Sequence, residues 1–280
     1  MTAAAANATD ALMVAVAAAA HRHIATTRHR LTPEMLYAAL SQEFQTDRRT
    51  IRRAVAKLVQ TGLAQYTYEF GCSFLVPSFN RPVTVSPRVV LCPSGFPVSP
   101  AAGQVWVTLD QGAAFGTGAH PTTRLAVRGI DSALTPFPTS WRPGQCRVLD
   151  VGTGSGVLLL TALSLGMHAG IGLDVDPCAV SEARANATLN GLQRRSVFTD
   201  TAITRIDGHF QLVTANLRFP TLADLTGTLS VMTSEDGLLV VSGIREAEAG
   251  ALASVYGQAG WKVLWQEAEG GWAGQVYRRR

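Results

Sequence analysis

The stretch RVLDVGTGSG, residues 147–156, decides the fold of this protein. Its apolar first half predicts a buried β-strand, and its alternate glycines predict a tight turn into a helix, because glycine adopts backbone conformations that a Cβ forbids. A second predicted strand, residues 170–174, ends in Asp174, whose carboxylate lies 20 positions after Gly154. An acidic side chain at the carboxyl end of a strand can accept hydrogen bonds from ribose hydroxyls. This order of elements favours a nucleotide-binding α/β domain with a parallel sheet.

The glycine spacing separates two classes of nucleotide site. A dinucleotide fingerprint, G-x-G-x-x-G counted from Gly152, needs a glycine where this sequence has Val157. The observed pattern is D-x-G-x-G-x-G, which resembles motif I of class I methyltransferases, enzymes that use S-adenosyl-L-methionine. Asp200 ends the next predicted strand, and the resemblance implies that it faces the adenine. The resemblance implies the following cofactor-binding residues in and after the loop: Asp150, Gly152, Gly154, Gly156 and Asp174.

A second stretch, DQGAAFGTGAHPTT at residues 110–123, is more specific than a glycine loop. With LDVDP at 173–177, ANL at 215–217 and SGI at 242–244, it resembles the PrmA-type ribosomal protein methyltransferases. The resemblance runs from about Val83 to the C-terminus. It implies a class I methyltransferase that modifies amino groups of a protein. It also implies that the cofactor is bound by Thr123, Gly152, Asp174 and Asn216.

The resemblance also implies where the substrate binds. Asn216 would lie where the amine approaches, and Phe115 to Thr123 would form a loop beside it. Methyl transfer from a sulfonium to an amine is an in-line displacement, so alignment and a neutral nucleophile are its main requirements. The carbonyl oxygen of Asn216 is suited to orienting the amine lone pair without adding charge. His120 has two open roles, a general base or a loop histidine bonded to the backbone, and we favour the second.

Three departures from the family pattern bear on the substrate. Thr153 stands where the family usually has Cys, a change of small expected consequence. Arg218 would bring a guanidinium close to the substrate, and we interpret it as a contact for an anionic group; the alternative is a surface Arg paired with a neighbouring acid. The family's usual N-terminal module is ferredoxin-like and binds the ribosomal substrate, whereas this chain has another pattern there. The sequence therefore disfavours the ribosomal protein as the target.

The first 80 residues predict three helices followed by a β-hairpin. Thr32 and Thr46 are the expected N-terminal caps of the second and third helices, and Gly62 is the expected end of the third. The resulting pattern resembles a winged helix-turn-helix domain. The predicted elements are helices over residues 10–23, 33–44 and 47–61 and a hairpin over residues 66–75.

Charge is distributed unevenly along the chain. Residues 1–90 hold ten basic and five acidic side chains, a net charge of +5, whereas residues 91–280 carry a net charge of −1. Such a basic excess can neutralise nucleic-acid phosphates. A solvated face on a protein-docking or dimerisation module is an equally good interpretation. The third predicted helix carries the basic face: Arg48, Arg49, Arg52, Arg53 and Lys57.

Proline marks the boundary between two predicted domains. Residues 77–100 contain six prolines, which exclude a helix and predict a linker or short strands, such as residues 89–91 and 105–107. We therefore predict a winged helix-turn-helix-like domain over residues 1–80. Residues 81–280 are predicted to form a class I methyltransferase domain with a Rossmann-like α/β sheet.

Together these patterns predict an S-adenosyl-L-methionine-dependent N-methyltransferase that acts on a lysine or N-terminal amine of a protein. Two alternatives stay open: a methyltransferase of nucleic acid or a small molecule, and a DNA-binding regulator that only senses the cofactor. The most apolar run, residues 11–20, is half of the about 20 residues that a membrane span needs. The four cysteines form no C-x-x-C pair, so we expect no metal site. We expect a cytoplasmic protein, and the sequence leaves its oligomeric state open, a dimer being one option.

Overall fold

The structure of the protein, a computed structural model, describes residues 3–27, 29–69, 71–110, 112 and 114–279. The chain divides into two compact units, Met1–Arg81 and Pro82–Arg280. Among the described helices, none combines the length and the apolar character that crossing a membrane requires.

The first unit contains the predicted helices and hairpin. Its elements are α1 (Ala3–Thr26), α2 (Pro33–Phe44), α3 (Arg48–Gln60), β1 (Ala64–Glu69) and β2 (Cys72–Pro77). The two strands pair antiparallel, and Leu75 of the hairpin shares a core with Leu40 of α2 and Ile51 of α3. Phe70, in the predicted turn, lies outside the described residues. The likeness to a winged helix-turn-helix domain stays a prediction.

Side-chain caps fix the starts of α2 and α3. Thr32 caps α2, as predicted. The cap of α3 is Asp47, whose carboxylate accepts the N–H groups of Arg49 at 2.8 Å and Thr50 at 2.9 Å. The prediction of Thr46 was wrong because a carboxylate one residue later reaches both amides. Its negative charge also complements the positive end of the helix.

The second unit contains two sheets, six α-helices and two short 3-10 helices within the described residues. A short sheet orders its strands β3-β4-β5, and a seven-stranded sheet orders them β11-β12-β10-β9-β6-β7-β8. The elements in chain order are β3 (Val83–Thr84), β4 (Val89–Pro93), β5 (Val105–Leu109), α4 (Pro121–Ala133), β6 (Arg147–Val151), α5 (Val157–Ser164), β7 (Ala169–Leu173), α6 (Pro177–Leu189), β8 (Ser196–Thr199), β9 (Phe210–Asn216), α7 (Phe219–Asp224), α8 (Thr226–Met232), β10 (Thr233–Arg245), α9 (Ala249–Gln258), β11 (Trp261–Glu269) and β12 (Trp272–Arg279). The two strands predicted in and after the proline-rich segment are present as β4 and β5.

The large sheet reverses its order beside β6. From β6 the chain moves outward through β7 and β8, then returns to the other side of β6 as β9 and β10, all in parallel register. β12 lies antiparallel between β10 and β11. A reversal of this kind opens a crevice outside the carboxyl ends of the strands, where ligands bind in open α/β sheets.

Helices cover both faces of the large sheet. Val148 and Leu212 face a core shared with α4, α5 and α6, whereas their neighbours Leu149 and Val213 face a core shared with α7, α8 and α9. Successive side chains of a strand point to opposite faces, so both residues of each pair must be apolar. The alternating strands and helices confirm the predicted α/β fold. Polar site residues are left to the strand ends.

Candidate active site

A cavity of about 740 Å³ opens at the carboxyl ends of the central strands. Its volume is within the usual range of cofactor and small-molecule pockets, about 300–1,000 Å³. Thr123, Asp150 and Gly156 do not line it. Thr122, which belongs to the predicted loop from Phe115 to Thr123, does line it, and so does Trp272, which the sequence reasoning missed. The cavity brings together the other predicted site residues of this unit: Phe115, His120, Gly152, Gly154, Asp174, Asp200, Asn216 and Arg218.

The glycine loop after β6 folds back onto the end of β7. The N–H groups of Gly152 and Thr153 both donate to the carbonyl oxygen of Leu173 at 2.8 Å. The N–H of Gly154 donates to Oδ2 of Asp174, also at 2.8 Å. These amides are used inside the chain, unlike the amides of a phosphate-binding loop, which point at the ligand. The loop is therefore suited to a ligand that presents no phosphate to it.

Two loop positions require glycine for both backbone and space. Gly152 and Gly154 have φ angles of 72° and 53°, in the left-handed region. A Cβ on Gly152 would lie 2.6 Å from Cδ2 of Leu217, and a Cβ on Gly154 would lie 2.4 Å from the carbonyl oxygen of Phe115. Any larger residue would push the loop away from the segments that surround the cavity.

Asp150 lies buried beneath the loop. Its Oδ2 accepts the hydroxyl of Thr153 at 2.6 Å, and its Oδ1 accepts the hydroxyl of Thr214 at 2.7 Å. Burial raises the pKa of Asp150 to about 6, even though the two hydroxyl donors lower it. The carboxyl therefore holds the loop against β9 from behind.

Asp174 presents the carboxylate predicted after β7. Its Oδ2 accepts the Gly154 N–H, and its Oδ1 accepts the N–H of Asp176 at 3.0 Å. Each carboxylate oxygen has a second lone pair, so both keep the capacity to accept a ligand hydroxyl. Asp200 follows β8 on the same edge and is exposed.

Asn216, the last residue of β9, carries an unpaired polar atom. Its Oδ1 is buried, with no hydrogen-bond partner among the residues that the structure describes. A buried acceptor without a donor costs roughly 1–3 kcal/mol. Since Asn216 lines the cavity, an N–H group of a ligand is the natural donor. Oγ1 of Thr123, in the first turn of α4, is buried and unpaired in the same sense.

An aromatic wall, defined as Phe115, His120 and Trp272, borders the cavity. The His120 ring lies 5.3 Å from the Phe115 ring and 4.9 Å from the Trp272 ring, measured between centroids. Nδ1 of His120 accepts the N–H of Thr122 at 3.3 Å and caps α4. This arrangement agrees with a histidine bonded to the backbone. Phe115 is 55% exposed and available to a ligand.

A residue of α6 that the sequence reasoning missed ties the loop to the segment before α4. Nδ2 of Asn186 donates to the Ser155 carbonyl oxygen at 2.9 Å, and its Oδ1 accepts the Asp110 N–H at 2.8 Å. The Ser155 N–H donates to the Phe115 carbonyl oxygen at 2.9 Å. Gln111 and Ala113 of the same segment lie outside the described residues.

Ion pairs fix the hairpin that carries Trp272. Nε of Arg124 donates to Oε1 of Glu269 at 2.7 Å, and Arg128 forms ion pairs with Glu267 and Glu269. Burial raises the pKa of Glu269, but the two guanidinium groups outweigh it and hold this pKa below its ordinary value. The tip of the β11–β12 hairpin is therefore fastened to α4, and Trp272 with it.

The chain matches the family model described as ribosomal protein L11 methyltransferase (PrmA) over residues 77–280. It belongs to the PrmA family. Two relatives carry the name ribosomal protein L11 methyltransferase. The one from Geobacter sulfurreducens is 38% identical over 197 residues, and the one from Cupriavidus taiwanensis is 36% identical over 198 residues. Each match covers 70% of this chain and 62% of the relative, so this chain spans less than two thirds of their length.

A solved structure supports the same family. The ribosomal protein L11 methylase from Lactobacillus delbrueckii subsp. bulgaricus has a TM-score of 0.62 and 28% sequence identity. The likeness covers 71% of this chain and 100% of that one. The predicted Rossmann-like class I methyltransferase fold is confirmed. The family match begins at residue 77, so nearly all of the first unit lies outside it.

Proposed function

We propose that this protein is an S-adenosyl-L-methionine-dependent methyltransferase that methylates an amino group of a protein. One observation carries the proposal: the buried, unpaired Oδ1 of Asn216 at the edge of the cavity. An acceptor kept in this state favours a ligand that brings an N–H group, as an amine does. Family membership supports the same chemistry, since the relatives are named as methyltransferases of a protein.

The residues of the cavity fit this cofactor. Gly152 and Gly154 give close access to the backbone, and Asp174 keeps lone pairs for the ribose hydroxyls. Asp200 is our proposed contact for the adenine. A loop whose amides are all used inside the chain, beside two carboxylates, disfavours phosphates and favours a cationic nucleoside. When bound, S-adenosyl-L-methionine supplies a methyl group on a positively charged sulfur.

Three of the residues predicted to bind the cofactor do not line the cavity and would affect cofactor binding indirectly. Asp150 holds the loop through Thr153, and Gly156 starts α5 with a φ of 84°. Thr123 keeps a buried hydroxyl without a partner in the described chain. We propose that these residues shape the pocket.

Asn216 would prepare the amine. A lysine amine has a pKa of about 10.4 and must lose a proton before it can attack. The Asn216 amide oxygen accepts one N–H and thereby fixes the direction of the lone pair. A carboxylate at this position would stabilise the ammonium form and raise the pKa of the amine, whereas a neutral oxygen does so less. Orientation by a neutral group is therefore the role that we assign to Asn216.

Arg218 and Phe115 would contact the rest of the substrate. Arg218 precedes α7, lines the cavity and is exposed, with no carboxylate within ion-pair distance in the described chain. This favours a contact with an anionic group on the substrate over a pair with a neighbouring acid. The exposed ring of Phe115 offers apolar contact to the carbons next to the amine.

The proposed target is a lysine or an N-terminal amine of a protein. The relatives are named after ribosomal protein L11, but the match leaves out more than a third of their length. We propose that the first unit of this chain, which the family match does not include, selects the target.

Transfer of labelled methyl groups tests the proposal. The purified protein is incubated with labelled S-adenosyl-L-methionine and either a lysate or purified L11. The product is then treated with nuclease or protease. Label that survives nuclease and is lost to protease supports a protein target, while the reverse pattern would favour the nucleic-acid alternative. Cofactor binding without any transfer would favour the regulator.

Calorimetry tests the cofactor site separately. Asp174→Ala is expected to weaken binding of S-adenosyl-L-methionine about 10- to 100-fold, because a charged acceptor contributes roughly 1.5–3 kcal/mol. Asp207→Ala is the matched control, since it also removes a carboxylate, and Asp207 is exposed and does not line the cavity. Equal affinities of the two variants would contradict the assignment of Asp174.

A further inference from the structure

The first unit carries a surface that the methyltransferase chemistry leaves unexplained. α3 contains no acidic residue, and its five basic side chains are all exposed. Among the described residues, Arg48 alone of these five forms an ion pair, with Glu34 of α2. The five are Arg48, Arg49, Arg52, Arg53 and Lys57.

This arrangement of charge opposes the stability of the helix. Arg49 and Arg53, like Arg53 and Lys57, are four residues apart, so like charges face each other along one side of α3. Arg48 and Arg49 also stand at the amino end, where the helix dipole is positive and favours acids. An Arg-rich composition does not explain such clustering, because residues 91–280 are nearly neutral. A stabilising anion outside the chain does explain it.

Tyrosines continue the basic surface. The guanidinium carbons of Arg48 and Arg52 lie 5.6 and 5.8 Å from the ring centroid of Tyr37 on α2. The hydroxyl of Tyr37 lies near that of Tyr66 on β1, and burial together with this proximity raises the pKa of Tyr37 to about 12. Tyr66 is 49% exposed, and Tyr68, two residues further along the same strand, is 72% exposed. Arg48 and Arg52 of α3 are therefore linked through Tyr37 to the hairpin that carries Tyr66 and Tyr68.

We propose that this Arg–Tyr surface, the five basic residues of α3 with Tyr37, Tyr66 and Tyr68, binds nucleic acid. The guanidinium and ammonium groups contact phosphates, and the exposed rings of Tyr66 and Tyr68 stack on bases. An acidic protein would also neutralise α3, but its carboxylates offer no aromatic face on which the two exposed tyrosine rings can stack. Charge and rings together favour nucleic acid. The inference does not depend on the proposed methyl transfer, since binding is measured without the cofactor.

Fluorescence anisotropy of the full chain tests it. The probes are labelled 20-nucleotide single-stranded RNA, duplex RNA and duplex DNA, and the competitor is a polyglutamate peptide. Five phosphate contacts predict that affinity falls about 100- to 500-fold between 50 and 200 mM salt. The strongest of the three probes identifies the form of nucleic acid that the surface prefers.

Charge variants assign the binding to α3. The triple variant Arg49→Gln/Arg53→Gln/Lys57→Gln is expected to weaken binding at least tenfold and to make the salt dependence shallower, by roughly 2–3 in the logarithmic slope. The matched control removes three exposed charges from the second unit and is expected to change binding less than threefold. It is Arg194→Gln/Lys262→Gln/Arg278→Gln. Circular dichroism checks folding, and the α3 variant should melt at an equal or higher temperature, because its like charges no longer repel.

Tyrosine variants separate the two classes of partner. Tyr68→Ala is expected to bind nucleic acid about tenfold more weakly, whereas Tyr68→Phe, which keeps the ring, binds as the parent does. Three results would each overturn the proposal: no binding to any probe at 50 mM salt, equal loss in the two triple variants, or displacement by polyglutamate with no effect of Tyr68→Ala. The last result would identify an acidic protein as the partner.

Discussion

The two sides of the cavity differ in how their polar atoms are paired. On the loop side, the amides of Gly152 and Gly154 have acceptors, and both oxygens of Asp150 have donors. On the opposite side, Oδ1 of Asn216 is buried without a partner, and Arg218 has no ion pair in the described part of the chain. Polar atoms that are already hydrogen-bonded hold a surface in place without a ligand, whereas unpaired polar atoms can gain a partner when a ligand binds. The fold itself thus completes the loop side, and under the proposed function the substrate would complete the other.

Asn216→Ala removes the unpaired amide oxygen and has the largest expected effect on activity. Removing the amide leaves the amine without an orienting acceptor, and poor alignment of reacting groups lowers kcat by about 100-fold. Steady-state kinetics with labelled cofactor measures it, with calorimetry to show that cofactor binding falls far less than kcat.

Asn216→Asp is the matched control, because it keeps an oxygen acceptor of the same reach. It is expected to retain more activity than Asn216→Ala and to shift the pH–rate profile upward, since a carboxylate raises the pKa of the amine. Equal kcat values for the parent and Asn216→Ala would remove Asn216 from the mechanism.

The pH dependence of the free energy of unfolding tests the role of Asp150 on the loop side. Its pKa is raised by burial to about 6 in the folded state, against about 3.9 in an unfolded chain. The folded state therefore holds the proton more tightly, and this carboxyl stabilises the fold most below about pH 4. Its contribution is lost as the pH rises to about 6, a fall of about 3 kcal/mol in the free energy of unfolding.

Urea unfolding across pH 4–8 checks this prediction, with Asp150→Asn as the reference. The difference in the free energy of unfolding between parent and variant should fall as the pH rises from about 4 to about 6, because the amide of the variant does not titrate. Thr214→Val should extend the fall to higher pH, since it removes a hydroxyl donor that lowers the pKa of Asp150. A difference that is constant with pH would show that Asp150 does not titrate in this range.

Arg218→Ala is expected to weaken substrate binding and to leave the chemical step nearly unchanged. An exposed guanidinium that binds an anionic group contributes to substrate affinity more than to the chemical step. We expect the KM for the protein substrate to rise about tenfold with kcat changed less than twofold. Arg218→Lys keeps the charge and should fall between the two. An unchanged KM would return Arg218 to the role of an ordinary surface residue.

His120→Asn has the smallest expected effect on activity. Asparagine is a good N-cap, so α4 keeps its start, and we expect kcat within threefold of the parent with an unchanged pH–rate profile. His120→Ala should cost about 1 kcal/mol of stability through loss of the cap. A general base would instead give a loss of about 100-fold or more in His120→Asn, together with loss of the limb of the profile that reports its titration.

Local patterns predicted the loop side well. The strand and glycine turn at residues 147–156 and the carboxylate of Asp174 are close in sequence, so their spacing carries the information. The same holds for the helices and hairpin of the first unit. The error at Thr46 arose because Thr and Asp are both common N-cap residue types and stand next to each other at positions 46 and 47. Choosing Asp47 required its distances to the amides.

Contacts between residues that are far apart along the chain could not be predicted from the sequence. Trp272 meets His120 because β12 inserts between β10 and β11, and no period in a single sequence states which strands become neighbours. Asn186 did leave a signal, a polar side chain among the buried alanines of α6, such as Ala183. A buried polar residue needs partners, so this position could have been noted as a structural link.

The place of β12 in the sheet has a consequence for how the protein is made. Translation delivers residues 233–245 and 261–269 before residues 272–279, which pair with both of them. Until that segment is translated, the edge of β10 lacks the strand beside it, while β6, β7 and β9 already have their neighbours. The loop side of the cavity can therefore form on a growing chain, but the aromatic wall waits for Trp272. The glycine loop and the aromatic wall therefore become complete at different stages of synthesis.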